Sequence, residues 1–202
     1  MRLTTKLSIL ALIFATLAML PAASATSLTF DLTQNNISGL NGTSIGMVTI
    51  TDISGGVSVS IKMDPGYGLF MNNQHGQGGK IFVSSTGSLT ASSLINLSFG
   101  TVTDFSSKHD HLGGFTFTDL YTISGGTSQT NFTFTLTGIN TSQISSLGFH
   151  FICLNGNCPG SGSNTGYVET GSPSTVPEPG TLGLLGTGLV GLAGVVRRRL
   201  SI

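Results

Sequence analysis

Apolar and hydroxyl-bearing side chains alternate with a period of two residues through much of the chain between residues 26 and 176. In residues 57–63, Val, Ile and Met take every second position, and residues 132–137 alternate Phe or Leu with Thr. Successive side chains of a β-strand point to opposite faces, so this pattern predicts strands with one face in a core and one in water. The same region has no capped segment with an apolar period of 3.6 residues, which argues against a helical body.

Glycine-rich turns separate these alternating segments. We expect Ser-Gly-Gly at 54–56 to join strands at 47–53 and 57–63 as a hairpin. A second Ser-Gly-Gly, at 124–126, is predicted to join a strand at 115–123 to the strand that follows it. The alternation and the turns together indicate a chain of short, consecutive strands.

The number and spacing of these segments predict an all-β fold. About eight to ten short strands with glycine-rich turns are typical of an antiparallel β-sandwich or jelly roll, which we place over residues 26–170. Residues 89–97 also favour a strand, because they are rich in Ser and Thr and are flanked by glycine. Tyr167 and Val168 are predicted to form a last edge strand, and residues 171–176 a flexible linker.

The first 25 residues have the organisation of a secretory signal peptide. Arg2 and Lys6 precede an apolar run over residues 7–20, and Ala23 and Ala25 supply the small residues that a signal peptidase requires. We expect cleavage after Ala25, which would start the exported protein at the next residue. The alternative is an uncleaved anchor helix, which the short apolar run and the well-placed Ala-x-Ala pattern disfavour.

The C-terminal segment, residues 177–202, combines three features in a fixed order. A Pro-Glu-Pro triplet is followed by an apolar stretch at 181–196 and then by three arginines; the residues concerned are Pro177, Glu178, Pro179, Arg197, Arg198 and Arg199. As a helix, the apolar stretch covers about 24 Å, a marginal transmembrane span against a hydrocarbon core of about 30 Å. Arginines after the span favour a cytoplasmic C-terminus and place the body outside the cytoplasm.

This three-part segment resembles the PEP-CTERM sorting signal of bacteria. The resemblance implies that the segment is held transiently in the inner membrane and processed by an exosortase, and that the body reaches the cell surface or the medium. It also implies an association with exopolysaccharide and biofilm matrix, which is common among these proteins. The resemblance covers about 26 residues, so it implies nothing direct about the body. The alternative is a plain membrane anchor that is never processed.

Cys153 and Cys158 are the two cysteines of the chain, and the turn residues Asn155 and Gly156 lie between them. An exported body meets an oxidising compartment, where a cysteine pair is expected to be bonded. The Asn-Gly turn can bring two strand ends within the separation that a disulfide requires. Two cysteines alone supply too few ligands for a metal site.

His109, Asp110 and His111 form the cluster with the most metal-like composition. On an extended segment the two histidines point to one face, and Asp104 is a candidate for completing a site. The competing interpretation is an exposed polar loop before two glycines, which we favour because no third ligand is evident. His150 alternates with two phenylalanines, and this pattern predicts a polar surface position for it.

Two glycine motifs do not indicate enzyme sites. Residues 42–46 match G-x-S-x-G, but a strand is predicted after them where a nucleophile elbow needs a helix. Residues 186–191 match G-x-G-x-x-G, but the chain ends eleven residues later, without the βαβ unit and acidic residue of a dinucleotide site. We therefore expect no catalytic residues and no cofactor.

The charge of the chain argues against one class of partner. Eight Lys and Arg balance eight Asp and Glu, so the formal net charge is zero. Without the terminal segments, the body keeps three Lys against six Asp and one Glu, a net charge of −4. A nucleic-acid binder needs more Lys and Arg than Asp and Glu to neutralise phosphates, so no nucleic-acid partner is expected.

Three functions compete. The sequence favours a non-enzymatic, exported protein of the cell envelope or extracellular matrix. The first alternative is a secreted carbohydrate-binding module, although the chain has no Trp; its candidate aromatic residues are Tyr67, Phe70, Tyr121 and Tyr167. The second alternative is a secreted metal-dependent enzyme built on the cluster at 109–111.

Overall fold

The computed structural model describes residues 26–40, 42–71, 78–107 and 110–171, with the backbone alone for residues 110–112. Within these ranges the chain forms fourteen strands and three single-turn 3-10 helices, at Ser38–Leu40, Ala91–Ser93 and Thr141–Gln143. The strands are β1 Ser27–Asp31, β2 Gln34–Asn35, β3 Gly46–Ile53, β4 Gly56–Met63, β5 Tyr67–Leu69, β6 Gly79–Ser85, β7 Leu94–Ile95, β8 Thr101–Ser106, β9 Asp110–Leu112, β10 Phe115–Phe117, β11 Asp119–Ser124, β12 Asn131–Thr137, β13 Ile144–Cys153 and β14 Thr165–Glu169. The predicted signal peptide and sorting segment lie outside the described residues.

The strands of the described residues form antiparallel sheets, which confirms the all-β prediction. A five-stranded sheet has the order β1-β3-β4-β12-β7. A larger sheet has the order β2-β14-β13-β6-β11-β8, with β5 also paired to β13. β9 and β10 form a separate two-stranded hairpin. β13 is the longest strand and joins three others, so the larger sheet is organised around it.

The hairpin expected at residues 54–56 is present. β3 and β4 pair along their whole length, from Gly46 opposite Met63 to Ile53 opposite Gly56. The turn places Gly55 at a φ of +83°, in the left-handed region where a side chain would be strained. This register is fixed by the buried apolar side chains at positions 48, 50, 57, 59 and 61, because a slip of one residue would turn them into water.

The turn at 124–126 follows β11 and leads to β12, as predicted, and it carries the chain from the larger sheet to the five-stranded one. Three details of the strand pattern differ from the sequence prediction. The strand expected at 115–123 is two strands, interrupted where the Thr118 hydroxyl donates to the Val83 carbonyl at 2.9 Å. Residues 89–97 hold a 3-10 turn and only the two-residue β7. Tyr167 and Val168 lie in β14, which pairs on both sides, so the edge position belongs to β2.

Buried side chains from both large sheets form one hydrophobic cluster. β4 shows how alternation builds it: Val57, Val59 and Ile61 are at most 1% exposed, whereas Ser60 and Lys62 face water. The largest fully buried members of the cluster are Tyr121, Phe132, Phe134, Phe149 and Phe151. Each such side chain contributes roughly 1.5–3 kcal/mol through the apolar area it removes from water.

A second group of buried rings lies outside this cluster, around Phe82. Phe82 follows Ile81 and precedes Val83, which are both core residues, so its side chain leaves β6 on the opposite face of the sheet. There its ring lies 4.9 Å from that of Phe117 and 6.2 Å from that of Phe115. Phe82 is opposite Gly148 of β13 in register. The Phe82 ring occupies the space that a side chain at position 148 would take.

Gly148→Ala should therefore destabilise the fold. The new Cβ would overlap the Phe82 ring, and overpacking of this kind costs about 1–3 kcal/mol. Urea unfolding followed by circular dichroism measures the change. Gly162→Ala is the matched control: no atom lies within 4 Å of its added Cβ, so its unfolding midpoint should stay close to that of the wild type. Equal midpoints for the two variants would contradict the packing described.

Candidate functional site

A disulfide closes the turn at the end of β13. Cys153 is the last residue of that strand, and it is bonded to Cys158 with a Cα–Cα distance of 5.4 Å. Residues 154–157 form a turn that brings the two cysteines together, as the Asn-Gly pair predicted. In the described residues no cysteine is free.

Backbone hydrogen bonds hold this turn against its neighbours on both sides. The Leu154 amide donates to the Gly66 carbonyl at 2.8 Å, just before β5. The Cys153 amide donates to Asn164 and the Cys158 amide to Ser163, both at 2.8 Å. The turn is thus fixed by a covalent bond and by three hydrogen bonds to other segments of the chain.

A cleft of about 200 Å³ lies beside the disulfide. We call it the tip cleft; it is lined by Pro65, Gly66, Tyr67, Cys153, Asn155, Asn157 and Pro159. Tyr67 is half-buried, and its ring meets that of Phe151 edge-on with the centroids 6.3 Å apart. Gly66 has a φ of +94°, and a Cβ there would lie 3.3 Å from Nδ2 of Asn155. A residue other than glycine at position 66 would therefore have a strained backbone and would crowd the Asn155 side chain in the cleft.

Removing the disulfide should lower stability. A bond between residues five positions apart closes a small loop, so loop-closure entropy predicts a loss of about 2 kcal/mol in the double variant Cys153→Ala, Cys158→Ala. Unfolding midpoints with and without a reductant measure the effect. The reductant should shift the wild type toward the double variant and leave the double variant unchanged. A wild-type midpoint insensitive to complete reduction would rule out the stabilising role.

The surface position predicted for His150 is wrong. His150 is 4% exposed, on the same sheet face as Phe82. Its ring lies 4.4 Å from that of Phe70 and 4.6 Å from that of Tyr167, which is directly opposite in register. Alternation correctly placed His150 on the face opposite Phe149 and Phe151. The prediction failed because aromatic rings cover that face as well.

Burial keeps the His150 imidazole neutral. Loss of hydration lowers the pKa of His150 to about 4, a hydrogen bond to the Gly78 backbone acts in the opposite direction, and the charge of Lys80 lowers the pKa further. Nδ1 of this ring has no hydrogen-bond partner among the described residues. His150 therefore packs as a flat neutral ring between Phe70 and Tyr167.

Acidification should destabilise the protein through His150. Its pKa is about 4 when folded and about 6.5 when unfolded, so the unfolded chain takes up a proton first as the pH falls. Above pH 6.5 the ring is neutral in both states, and its contribution to the free energy of unfolding is fully present. The free energy of unfolding should fall by about 2–3 kcal/mol between pH 6.5 and pH 4.

Comparison of the wild type with His150→Phe isolates this effect. Phe preserves the stacked ring and does not titrate, so the difference in unfolding free energy between the two proteins should grow as the pH falls below 6.5. Glu169, whose pKa is raised by burial, is present in both proteins and cancels in the difference. Parallel stability curves from pH 7 to pH 4 would show that the pKa of His150 is the same in the folded and unfolded states, and would contradict the prediction.

The candidate metal cluster is only partly described. His109 lies outside the described residues, and Asp110 and His111 are seen as backbone in β9. Asp104 lies in β8, in a different sheet, and its carboxylate accepts a hydrogen bond from the Phe105 amide at 2.9 Å. Within the described part of the chain, no group of three or more His, Cys, Asp or Glu residues is placed to hold a metal ion.

The G-x-S-x-G segment leads into a strand, as predicted. Its last residue, Gly46, is the first residue of β3, and the Ser44 hydroxyl donates to the Gly46 carbonyl at 3.1 Å. A nucleophile elbow would present that hydroxyl at the start of a helix. The segment therefore has the wrong local geometry for an elbow.

The four candidate aromatic residues have different environments. Tyr121 is fully buried, and its hydroxyl donates to the Thr90 carbonyl at 2.9 Å. Phe70 and Tyr167 pack against His150. Of the four, Tyr67 is the one that lines the tip cleft. The sequence offered no reason to prefer it, because the cleft is formed by segments distant in the chain.

The outer face of the five-stranded sheet carries two rows of hydroxyl groups, which we call the hydroxyl face. Each row crosses β1, β3, β4 and β12 at paired positions. One row is Ser27, Thr51, Ser58 and Thr135, of which Thr135 is buried, and the other is Thr29, Thr49, Ser60 and Thr133. The hydroxyl oxygens of β1 and β3 are 3.1 Å apart in the first row and 3.4 Å apart in the second. Alternation predicted hydroxyls facing water, but only the register aligns them in rows.

These observations define an all-β protein with a disulfide-closed tip and a face coated with hydroxyl groups. In the C-terminal segment, residues 175–199 match the family model of the PEP-CTERM protein-sorting motif. The chain therefore carries a PEP-CTERM sorting motif, as the Pro-Glu-Pro triplet, apolar stretch and arginines predicted. The motif implies export, processing by an exosortase and a destination at the cell surface or in the medium.

Neither the curated proteins nor the solved structures contain a significant match to this chain. In the part of the chain that the structure describes, no helix has the length and apolar character needed to cross a membrane. The predicted marginal span at 181–196 lies outside that part.

Proposed function

We propose that this chain is a non-enzymatic protein of the bacterial cell envelope or extracellular matrix, delivered there through its sorting motif. The match of residues 175–199 to the PEP-CTERM motif carries the proposal. Its disulfide suits the oxidising compartment that an exported body enters. The body is poor in charge and rich in hydroxyl groups, a composition suited to a structural or adhesive role rather than to acid–base chemistry.

The proposed route uses both terminal segments. Signal peptidase removes residues 1–25, and the segment at 177–202 is held briefly in the inner membrane, with its arginines in the cytoplasm, until an exosortase processes it. The body, residues 26–170, then folds outside as a β-sandwich. The single hydrophobic cluster shared by the buried faces of the two large sheets supports this arrangement.

Exopolysaccharide is the proposed partner of the body. The hydroxyl face supports this partner, since rows of Ser and Thr can exchange hydrogen bonds with sugar hydroxyls over several strands. The face bears few charges, with Asp31 and Lys62 at one end of it. Adhesion would then arise from many short-range contacts along a polymer rather than from one tight site.

A carbohydrate-binding module with a defined site is the second candidate. The tip cleft favours it, because the cleft combines an aromatic ring with two amide side chains in a concave surface. This candidate predicts that a small sugar binds at the cleft, whereas contacts on the hydroxyl face alone would hold only a polymer.

Replacing Pro177, Glu178 and Pro179 with alanine should block sorting. We expect the wild type in the medium or at the surface with an intact mass that lacks residues 197–199, and the variant in the inner-membrane fraction with the arginines present. Mass spectrometry of fractionated cells measures both outcomes.

A variant with three alanines at Ser172, Pro173 and Ser174 is the matched control, because these residues lie just before the matched motif and also include a proline. It should be sorted and processed like the wild type. A wild-type protein that retains the arginines would contradict processing.

Sedimentation with the host's purified exopolysaccharide tests the partner. The exported protein should pellet with the polymer, whereas a second exported protein of similar size should remain in solution. Binding should change little with salt, because the body offers few charges for ionic contacts. Absence of pelleting at any salt concentration would exclude exopolysaccharide as the partner.

A further inference from the structure

We propose that the tip cleft binds one uncharged sugar ring, in the form of a neutral pyranose residue. The proposal rests on the proposed function, in which the partner is a polysaccharide, and it locates on the body the place that holds one residue of such a chain. It assigns contact roles to Tyr67, Asn155 and Asn157.

Tyr67 supplies the stacking surface. Its ring is half-buried and is held by the edge-on contact with Phe151, so the aromatic wall is fixed before a ligand arrives. The face of an aromatic ring carries a partial negative charge, and the C–H bonds on one side of a pyranose ring present partial positive charge. The backbone on either side is also fixed, since Tyr67 is opposite Cys153 in the ladder between β5 and β13.

Asn155 and Asn157 supply hydrogen bonds. Both residues are exposed, and among the described residues neither side-chain amide has a hydrogen-bond partner. An Asn amide offers two donors and an acceptor, which can engage two neighbouring hydroxyls of a sugar ring. An aromatic wall with a few convergent polar groups is the usual composition of a small-molecule site.

The charge of the lining residues and the volume of the cleft determine which ligand fits. None of the lining residues is ionisable apart from Tyr67, since the cysteine is in the disulfide. A uronate would find no cation in the cleft, so its carboxylate would lose hydration without gaining an ionic contact. The volume of about 200 Å³ is below the roughly 300–1,000 Å³ of drug-sized pockets, so it suits one ring rather than an oligosaccharide.

The disulfide lowers the cost of binding. Asn155 and Asn157 both lie within the loop that the disulfide closes, and the Leu154 amide ties that loop to Gly66 on the opposite wall. A loop already held in its binding geometry loses less conformational entropy when a ligand arrives. Affinity for the sugar should therefore fall when the disulfide is reduced.

Titration of the full chain with methyl glycosides tests the proposal. The chain is purified in a zwitterionic detergent, because glucoside and maltoside detergents would compete for the cleft. The probes are the methyl pyranosides of glucose, galactose, mannose and N-acetylglucosamine, with methyl glucuronide as the charged comparison. Saturation-transfer NMR should give saturable binding to at least one neutral glycoside, with a Kd on the order of 1 mM. The glucuronide should bind more weakly than its neutral counterpart, glucoside.

Variants assign the contacts. Tyr67→Phe keeps the ring and should bind within about twofold of the wild type, whereas Tyr67→Ala should lose at least about tenfold in affinity. Asn155→Ala and Asn157→Ala should each lose about two- to tenfold. Leu154→Ala is the matched control: the residue is 43% exposed on the same turn but does not line the cleft, so its affinity should be unchanged. Circular dichroism and disulfide content confirm that each variant is folded.

Two results would overturn the proposal: no saturable binding of any neutral glycoside to the oxidised chain, or unchanged affinity in a folded Asn155→Ala, Asn157→Ala double variant. Failure here is distinguishable from failure of the proposed function. A protein that is sorted and pellets with exopolysaccharide but binds no glycoside keeps its function and loses this site. A protein that binds glycosides but does not pellet with the polymer keeps the site and loses exopolysaccharide as the partner.

Discussion

Burial of β13 on both faces is the constraint on which the rest of the structure depends. Leu147, Phe149 and Phe151 point into the core shared with the five-stranded sheet, while Gly148 and His150 lie beneath the rings on the opposite face. A strand covered on both sides must be paired along both edges, because no water is available for its backbone groups. β6, β14 and β5 meet that need, and the pairing of β5 with the end of β13 places Tyr67 and Cys153 together in the tip cleft.

Prediction from the sequence was most accurate for strands that have one face in the core and the other in water. β4 and β12 alternate strictly, and β3 does so over residues 48–51, so their existence, the hairpin at 54–56 and the inward side chains followed from periodicity alone. The same rule failed at His150, because alternation assigns a side chain to a face but does not say what covers that face. The cover consists of Phe70, Tyr167 and neighbouring rings that come from other parts of the chain. Which rings cover a sheet face depends on tertiary packing, so no local sequence pattern indicates it.

The candidate sites also differ in whether the sequence alone could predict them. The sorting motif is contiguous, so its residues identify it without a structure. The two cysteines are close in sequence and are separated by a turn, which made their pairing predictable. The tip cleft and the hydroxyl face were not predictable, since each depends on register: Tyr67 is placed beside the disulfide by pairing of β5 with β13, and the two hydroxyl rows by pairing of four strands. Composition showed only that hydroxyl groups were abundant.

The low charge of the body limits the kinds of contact through which it can recognise a partner. A body with few ionised groups gains little from long-range steering, so its contacts are effective only at van der Waals and hydrogen-bonding distance. Such contacts are weak one at a time and require surfaces fixed in advance, which the disulfide provides at the tip and the strand ladder provides on the hydroxyl face. A repeating polymer compensates for weak single contacts, because once one residue is held, the next is presented at high effective concentration. The proposed polysaccharide partner would meet that requirement, whereas a free monosaccharide would engage only the proposed site in the tip cleft.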